Sequence, residues 1–180
     1  METHMENNKM LYSHVSVDCV LLGVNEDKLC VLLIERQMDN SDEKRYKLPG
    51  SLIFENEDLD TAAHRVFNEA TGLKRVPLKQ FRSFGSPSRT KNKDDMQWLE
   101  NAMKLKIERI VTVAYLALRK SGRKSNPTNK YTSLAWFPVD ALPSLPFDHK
   151  EIIEAAVEEI REWVEKEPSI IFAYLPLKVT

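Results

Sequence analysis

The sequence has no excess of charge of either sign. Lys and Arg number 26 against 27 Asp and Glu, so the formal net charge of the 180-residue chain is −1. Nucleic-acid binding depends on clustered, unbalanced Lys and Arg. The balance therefore argues against a chain that binds DNA by itself, although it leaves room for a partner domain that does so.

Long apolar runs are also missing. No stretch approaches the roughly 18 consecutive apolar residues that a membrane-spanning helix requires. Met1 to Met10 lack the cationic and hydrophobic parts of a secretory signal. We therefore expect a cytoplasmic, globular protein with no membrane partner. With 42% hydrophobic residues, the chain has enough apolar side chains for one buried core.

Cysteine is scarce as well. The chain has two cysteines, Cys19 and Cys30, and no zinc-binding spacing such as C-x-x-C. Both lie in apolar segments that are typical of neighbouring strands, and the hairpin register would place Cys30 opposite a residue near Leu21. We expect two reduced, apolar cysteines and no disulfide.

The hydrophobic pattern predicts strands interleaved with helices. Segments rich in Leu and β-branched residues predict strands at 15–24, 29–34, 76–84, 107–118 and 134–139, the first two forming a hairpin. Helical spacing of apolar residues, with residues suited to the helix ends, predicts helices capped by Asp58 and by Asp148. A smaller helix is expected within 85–106. This order of elements predicts an α/β or α+β sandwich.

The segment Leu48–Leu73, LPGSLIFENEDLDTAAHRVFNEATGL, is the most informative about chemistry. A strand ends in Pro-Gly, a loop carries carboxylates, and a helix closes on Glu-x-x-Gly-Leu. This layout resembles the Nudix box, G-x5-E-x7-R-E-U-x-E-E-x-G-U, in which U is an apolar residue. Anchored on the final Gly-Leu, the first Glu of the box falls on Glu57, its Arg on Arg65, and the first of its paired Glu residues on Glu69.

The chain departs from the box at three positions. Ser51 stands where the box has its first Gly, Val66 where it has the Glu after the Arg, and Ala70 where it has the second Glu of the pair. In the Nudix enzymes that the segment resembles, the Glu residues of the box hold divalent cations that bridge a pyrophosphate and activate water. Val66 and Ala70 instead fit the apolar stripe of their own helix. We therefore expect a catalytically degenerate box.

The acids that remain allow two interpretations. Glu57 and Glu69 can still hold one Mg²⁺ with the help of substrate phosphates, because Mg²⁺ often uses only one or two protein carboxylates. The chain would then be a Mg²⁺-dependent Nudix hydrolase of nucleoside diphosphate derivatives, with Glu57, Arg65 and Glu69 as its residual catalytic candidates. Alternatively, Arg65 and Glu69 form an i,i+4 ion pair on the helix surface, and no cofactor is required.

The likeness extends over residues 12–180. The segments VDCV at 17–20, FGSPSR at 84–89 and LPFDH at 145–149 make the chain similar to the sensor half of NrtR-type Nudix-related transcriptional regulators and their sugar-responsive relatives. The resemblance implies a Nudix-type α/β/α sandwich with a mixed sheet. It implies that the domain has lost hydrolysis and binds a small-molecule effector, a nucleotide-sugar such as ADP-ribose or a sugar.

The resemblance also implies a domain organisation. DNA would be bound only through a C-terminal winged-helix domain that relatives carry and this chain lacks. Residues 1–11 would form a disordered N-terminal extension, followed by one Nudix-like domain at 12–180. A homodimer is expected. A separate hypothesis makes the chain an interaction domain whose amphipathic helix, around Met96 to Met103, forms the dimer contact.

Four side chains are candidate effector contacts: Arg36, Lys47, Arg89 and His149. Arg36 ends a predicted strand and Arg89 lies in a predicted loop, where a cation can meet a phosphate or a sugar. The alternative for both arginines is a solvated surface cation. The alternative for His149 is a residue of the helix start that makes a surface or partner contact.

Overall fold

A computed structural model describes residues 10–36, 43–119 and 133–170. The strands are β1 (Leu11–Asn25), β2 (Lys28–Arg36), β3 (Arg45–Lys47), β4 (Gly50–Phe54), β5 (Lys79–Phe84), β6 (Val111–Arg119) and β7 (Leu134–Pro138). The helices are α1 (Leu59–Thr71), α2 (Lys93–Met103) and α3 (His149–Lys166), with a 3-10 helix at Pro87–Thr90 before α2. None of the helices in these ranges is long and apolar enough to cross a membrane.

One mixed sheet contains all of these strands. β1 lies in its centre, pairs antiparallel with β2 and β4, and pairs parallel with β6. β5 joins the free edge of β6, while β3 and β7 both pair with β2. The predicted mixed sheet is therefore confirmed.

Helices cover both faces of this sheet. Side chains alternate between the faces along a strand, and β1 shows this directly. Val17 and Cys19 pack with α1, whereas Val20 and Leu22 pack with α3. The core is thus divided into two apolar layers, and the predicted α/β/α sandwich is confirmed.

Helix α1 begins and ends as its sequence predicts. The Asp58 carboxylate accepts a hydrogen bond from the backbone N–H of Thr61 at 2.8 Å, which satisfies a donor that the first helical turn cannot. Gly72 takes the left-handed conformation, with φ of 69°, and its N–H donates to the Asn68 carbonyl. These caps fix where the box-like helix starts and stops.

Two strands start later than predicted. β5 begins at Lys79 rather than at residue 76, because Pro77 has no N–H to give to a strand ladder. β6 begins at Val111 rather than at residue 107. The residues before it, Ile107 and Ile110, pack in a third apolar cluster with Met96, Leu99 and Met103 of α2 and with Leu52. The apolar stripe of α2 is therefore used inside the chain, and a homodimer contact through it stays a prediction.

The predicted hairpin of β1 and β2 is confirmed, but its register differs. Cys30 pairs with Gly23 rather than with a residue near Leu21. Glu26 and Asp27 make the turn with positive φ values of 48° and 66°, as in the tight two-residue turns that suit the twist of a hairpin. Cys19 and Cys30 are both free, so the prediction of no disulfide holds.

Candidate functional site

An open cleft with a cavity volume of about 40 Å³ lies between β1, β4, α2 and the start of α3, and buried ionisable side chains stand at its base. Ser16 and Asp18 of β1 line it, and Trp98 and Leu99 of α2 form its opposite wall. Because Val17 and Cys19 point to α1, Asp18 points to the other face of the sheet. The cleft therefore lies on the α3 face, across the sheet from the box-like helix.

Asp18 connects several elements at the base of this cleft, and only 4% of it is exposed. Its Oδ2 accepts a hydrogen bond from the Thr112 hydroxyl at 2.6 Å and lies 3.8 Å from Arg89 Nη2. Its Oδ1 lies 3.5 Å from His149 Nε2. A Cβ at Gly50 would sit 2.0 Å from the same Oδ1. Glycine at that position lets the carboxylate lie against β4.

Arg89 and Asp148 form a buried, two-pronged ion pair. Arg89 Nε and Nη2 donate to the two Asp148 carboxylate oxygens at 3.0 and 3.1 Å, and Nη1 donates to the Ile110 carbonyl at 2.9 Å. Arg89 is 6% exposed, so the alternative of a solvated cation is wrong for this residue. Asp148 does hold the N-cap position of α3, but its side chain makes no capping bond, because Arg89 engages it.

His149, the first residue of α3, is buried and uncharged. Its Nδ1 accepts a hydrogen bond from the backbone N–H of Leu48 at 3.2 Å. A backbone N–H can only donate, so the proton of the neutral ring sits on Nε2, towards Asp18. Burial lowers the pKa of His149 to about 4. The alternative of a surface contact is therefore wrong, since His149 belongs to the cleft.

Lys47 and Arg36 both approach the ring of Trp98. The Lys47 Nζ lies 5.7 Å from the ring centroid and donates to the carbonyls of Leu48 and Gly50 at 3.3 and 3.0 Å. Burial lowers the pKa of Lys47.

The Arg36 guanidinium lies 4.3 Å from the same ring centroid and donates to Asp95 at 3.1 Å. Arg36 is 4% exposed, so it is not a solvated cation either. Lys47, Arg89 and His149 line the cleft, whereas Arg36 supports its Trp98 wall. The structure thus gathers three of the four candidates at the cleft and places the fourth behind its wall.

The box-derived residues Glu57, Arg65 and Glu69 lie around α1, whereas Ser51, at the first box position, lines the cleft. Arg65 Nε donates to both Glu57 oxygens at 3.0 and 3.1 Å, and Nη1 lies 3.4 Å from Glu69. Glu57 also accepts the backbone N–H of Phe54 at 2.9 Å. The predicted i,i+4 ion pair of Arg65 and Glu69 is confirmed, and Arg65 additionally ties the loop after β4 to the helix.

The donor set does not fit the multi-carboxylate metal cluster of a Nudix box. Val66 is 4% exposed and packs in the α1 core layer. Within the described ranges, no three His, Cys, Asp or Glu side chains converge as they would to hold a metal ion. The narrower prediction, one Mg²⁺ held by Glu57 and Glu69 with substrate phosphates, remains a prediction.

Sequence reasoning missed Asp18, Thr112 and Trp98 as site residues. Asp18 did leave a signal, because it is a charged residue inside the apolar run VSVDCVLLGV. A carboxylate in a strand that is buried on both faces needs partners, since an unpaired buried charge is strongly unfavourable. Thr112 and Trp98 carried no comparable signal.

The fold and the site together define an α/β/α sandwich with a box-like helix on one face and a buried ionic cleft on the other. The sequence profile of the NUDIX domain matches residues 12–158. The chain therefore belongs to the NUDIX family. Among curated proteins, none matches the sequence significantly.

Several solved structures share the fold. A MutT/nudix family protein from Enterococcus faecalis is 24% identical, with a TM-score of 0.63, over 89% of this chain and 66% of that one. NrtR from Shewanella oneidensis, solved with a 27mer DNA, is 25% identical, with a TM-score of 0.62, over 82% of this chain and 62% of that one. The NUDIX domain of NrtR from the same organism, solved with ADP ribose, is 24% identical, with a TM-score of 0.60, over 83% of this chain and 89% of that one. This chain thus spans slightly less than two thirds of the first two relatives.

Proposed function

We propose that this chain is a catalytically degenerate NUDIX domain that senses a small-molecule effector for a bacterial transcriptional regulator. The effector would be a nucleotide-sugar such as ADP-ribose, or a sugar, bound in the cleft around Asp18. DNA contacts would belong to a winged-helix domain outside the NUDIX domain. We further propose that the regulator is a homodimer.

The observation that carries this proposal is the contrast between the two faces of the sheet. On the α1 face, Val66 and Ala70 replace two carboxylates of the box, and Val66 is packed in the core. On the α3 face, buried ionisable side chains gather around an open cleft. Perturbed, buried titratable groups in a cleft are typical of functional sites. This contrast supports ligand binding in the cleft rather than at the carboxylates of the box helix.

The relatives support the class of effector and partner. NrtR of S. oneidensis was solved with a 27mer DNA, and its NUDIX domain was solved with ADP ribose. The hydrolase alternative is favoured by one observation, the placement of Glu57 and Glu69 on either side of Arg65. Arg65 already neutralises both carboxylates, however, and competes with any metal for them.

The two functions are separated by measuring binding and hydrolysis on the same protein. ADP-ribose, NAD-derived nucleotides and pentoses are added at millimolar concentration while the thermal midpoint is followed. A ligand of the folded state raises the midpoint by mass action, so we expect at least one compound to raise it. With Mg²⁺ present, we expect no release of phosphate or nucleoside monophosphate from nucleoside diphosphate derivatives.

The Glu69→Gln variant is the matched control. It should leave ligand-induced stabilisation unchanged, because Glu69 lies on the α1 face. Mg²⁺-dependent release that disappears in Glu69→Gln would establish the hydrolase instead. A midpoint that no compound shifts would contradict the sensor.

A further inference from the structure

Helix α2 forms one wall of the cleft and is anchored less firmly than the other walls. We infer that α2 is a lid that Asp95 latches shut, and that a ligand enters the cleft only when this latch opens. Asp95 is thus a positioning residue rather than a ligand contact. The inference rests on the proposed function, because it concerns the regulation of the same site, but it holds for any effector that the cleft encloses.

The cleft with α2 in place is too small for a small-molecule effector. Its cavity volume is about 40 Å³, and a water molecule requires about 10–15 Å³ of such a cavity, so the cleft has room for only a few waters. Pockets that enclose small organic ligands usually measure about 300–1,000 Å³. A wall of the cleft must therefore move before an effector can be enclosed.

Helix α2 is the wall that moves most easily. β1 and β4 are paired with each other in the sheet, and α3 buries side chains in the core, among them Ile152 and Ile153. By contrast, α2 has no buried residue. Its apolar contacts come from half-buried side chains that include Met96 and Met103, and the flexible methionine side chain tolerates repacking. Displacing α2 therefore disrupts less packing than displacing any other wall.

Asp95, in the first turn of α2, joins the helix to two other elements. Its Oδ1 accepts a hydrogen bond from Arg36 Nη1, at the end of β2, at 3.1 Å. Its Oδ2 accepts one from the backbone N–H of Phe147 at 2.9 Å, and Phe147 lines the cleft just before α3. Only 15% of the Asp95 side chain is exposed. Hydrogen bonds to a carboxylate are stronger than those between neutral groups, so these two bonds latch the amino-terminal end of α2.

Outward movement of α2 must break this latch. Trp98 and Leu99 line the cleft and follow Asp95 by about one helical turn. A shift that enlarges the cleft at these side chains carries Asp95 with it, away from β2 and from Phe147. The closed latch and an enlarged cleft are therefore mutually exclusive, and the latch competes with a bound ligand.

The backbone at Phe147 favours opening. Its φ is 52°, in the left-handed region that residues with a Cβ rarely adopt. A strained conformation of this kind persists only where neighbouring contacts hold it, and the bond from the Phe147 N–H to Asp95 is one such contact. Opening the latch releases this strain, which lowers the free energy that opening costs.

Hydrogen exchange of the ligand-free chain, followed by mass spectrometry on peptides from α1, α2 and α3, tests the latch. In the unaltered chain, we expect the α2 amides to exchange at least about tenfold faster than those of α1. This exchange should depend little on low urea concentrations, because a local opening exposes little surface.

Asp95→Ala removes both bonds of the latch. It should raise α2 exchange by about a further tenfold and leave α1 exchange unchanged, the effect of losing hydrogen bonds to a charged group. Asp94→Ala is the matched control. Asp94 is exposed in the same helical turn, so its removal has a similar effect on the helix dipole without touching the latch, and α2 exchange should stay as it is.

Binding tests whether the lid controls the cleft. ADP-ribose and neutral pentoses are the probes, titrated calorimetrically into the unaltered chain and both variants. A ligand that requires the open state binds with an apparent Kd equal to its intrinsic Kd divided by the open fraction. A probe that binds the unaltered chain should therefore bind Asp95→Ala about tenfold more tightly, the same factor by which α2 exchange rises. An aspartate that merely stabilised the wall would give weaker binding when removed.

The outcomes separate the lid from the proposed function. Exchange that rises equally in α1, α2 and α3 of Asp95→Ala would overturn the lid, as would unchanged or weaker probe binding in that variant, and both results leave the sensor standing. Silence of every probe would contradict the sensor, while α2 exchange would still decide the latch. Should Asp95→Ala fail to give a native circular dichroism spectrum, the unaltered chain decides, because α2 amides that exchange only together with those of α1 would overturn the inference.

Discussion

Replacing Arg89 by Met should destabilise the protein far more than the loss of a surface ion pair. Arg89→Met keeps an apolar side chain of similar length but removes the guanidinium. Asp148, only 9% exposed, then loses both hydrogen bonds of 3.0 and 3.1 Å. The described residues place no second cation within salt-bridge distance of Asp148.

The expected magnitude follows from burial. Removing one partner of a buried ion pair leaves an uncompensated charge and costs about 3–5 kcal/mol. An exposed pair contributes about 0–1 kcal/mol. Arg161 supplies the comparison, because it pairs with Glu158 at 3.3 Å with both side chains more than 60% exposed. Since the free energy of unfolding of a whole domain is only about 5–15 kcal/mol, Arg89→Met should remove a large share of the stability of this protein.

Urea unfolding followed by circular dichroism measures this difference. Arg89→Met should lower the transition midpoint strongly while leaving the slope m unchanged, and Arg161→Met should barely move it. Adding Asp148→Leu to Arg89→Met should recover part of the loss, because the buried charge disappears. Equal effects of Arg89→Met and Arg161→Met would refute the buried pair.

Three further predictions concern the two faces of the sheet. Because burial lowers the pKa of His149 to about 4 from an ordinary 6.5, the unfolded chain binds a proton that the native chain does not between those pH values. As the pH drops from 7 to 4, the unfolding free energy of the unaltered chain should therefore fall by about 3 kcal/mol more than that of His149→Asn. Urea unfolding across this pH range measures the difference, and parallel pH profiles for the two proteins would contradict the prediction. Gly50→Ala should cost about 1–3 kcal/mol in thermal unfolding, because its Cβ would meet Asp18 Oδ1 at 2.0 Å. Gly85→Ala, with 3.5 Å to the nearest atom, should be near neutral, and equal midpoints for the two variants would disprove the clash. Val66→Glu should lose about 3 kcal/mol or more by burying a charge in the α1 core layer without gaining Mg²⁺-dependent hydrolysis. A stable, active variant would show that the side chain at position 66 can leave the core and reach a metal.

The parts of the fold that were predicted correctly depend on local interactions. Both ends of α1 are set by bonds within a few residues, from Asp58 to Thr61 and from Gly72 to Asn68, and a sequence shows such spacings directly. The β1–β2 hairpin is local as well. Its register was misjudged because the turn comprises only Glu26 and Asp27.

The candidate site could be predicted only in part, because its contacts are distant in sequence. Asp18 meets Thr112 across 94 residues, and Leu48 meets His149 across 101. Spacing rules do not encode such pairs. Arg89 and His149 were named as candidates, yet nothing in their neighbourhoods showed that they would be buried together. Asp148 was predicted to cap α3, but the stronger, charged partner Arg89 engages its side chain.

The free energy of the ionic cluster supports the proposed role of the cleft in ligand binding. A buried ion pair is often no more stabilising than apolar residues of the same volume, because desolvation offsets the attraction. A chain selected for stability alone could fill the space between Asp18, Arg89 and Asp148 with Leu or Met, as it fills position 66 with Val on the opposite face. It instead keeps charges, a neutral His149 and an open cleft at one place. Stability alone does not explain that arrangement, which supports the proposal that a ligand binds in this cleft.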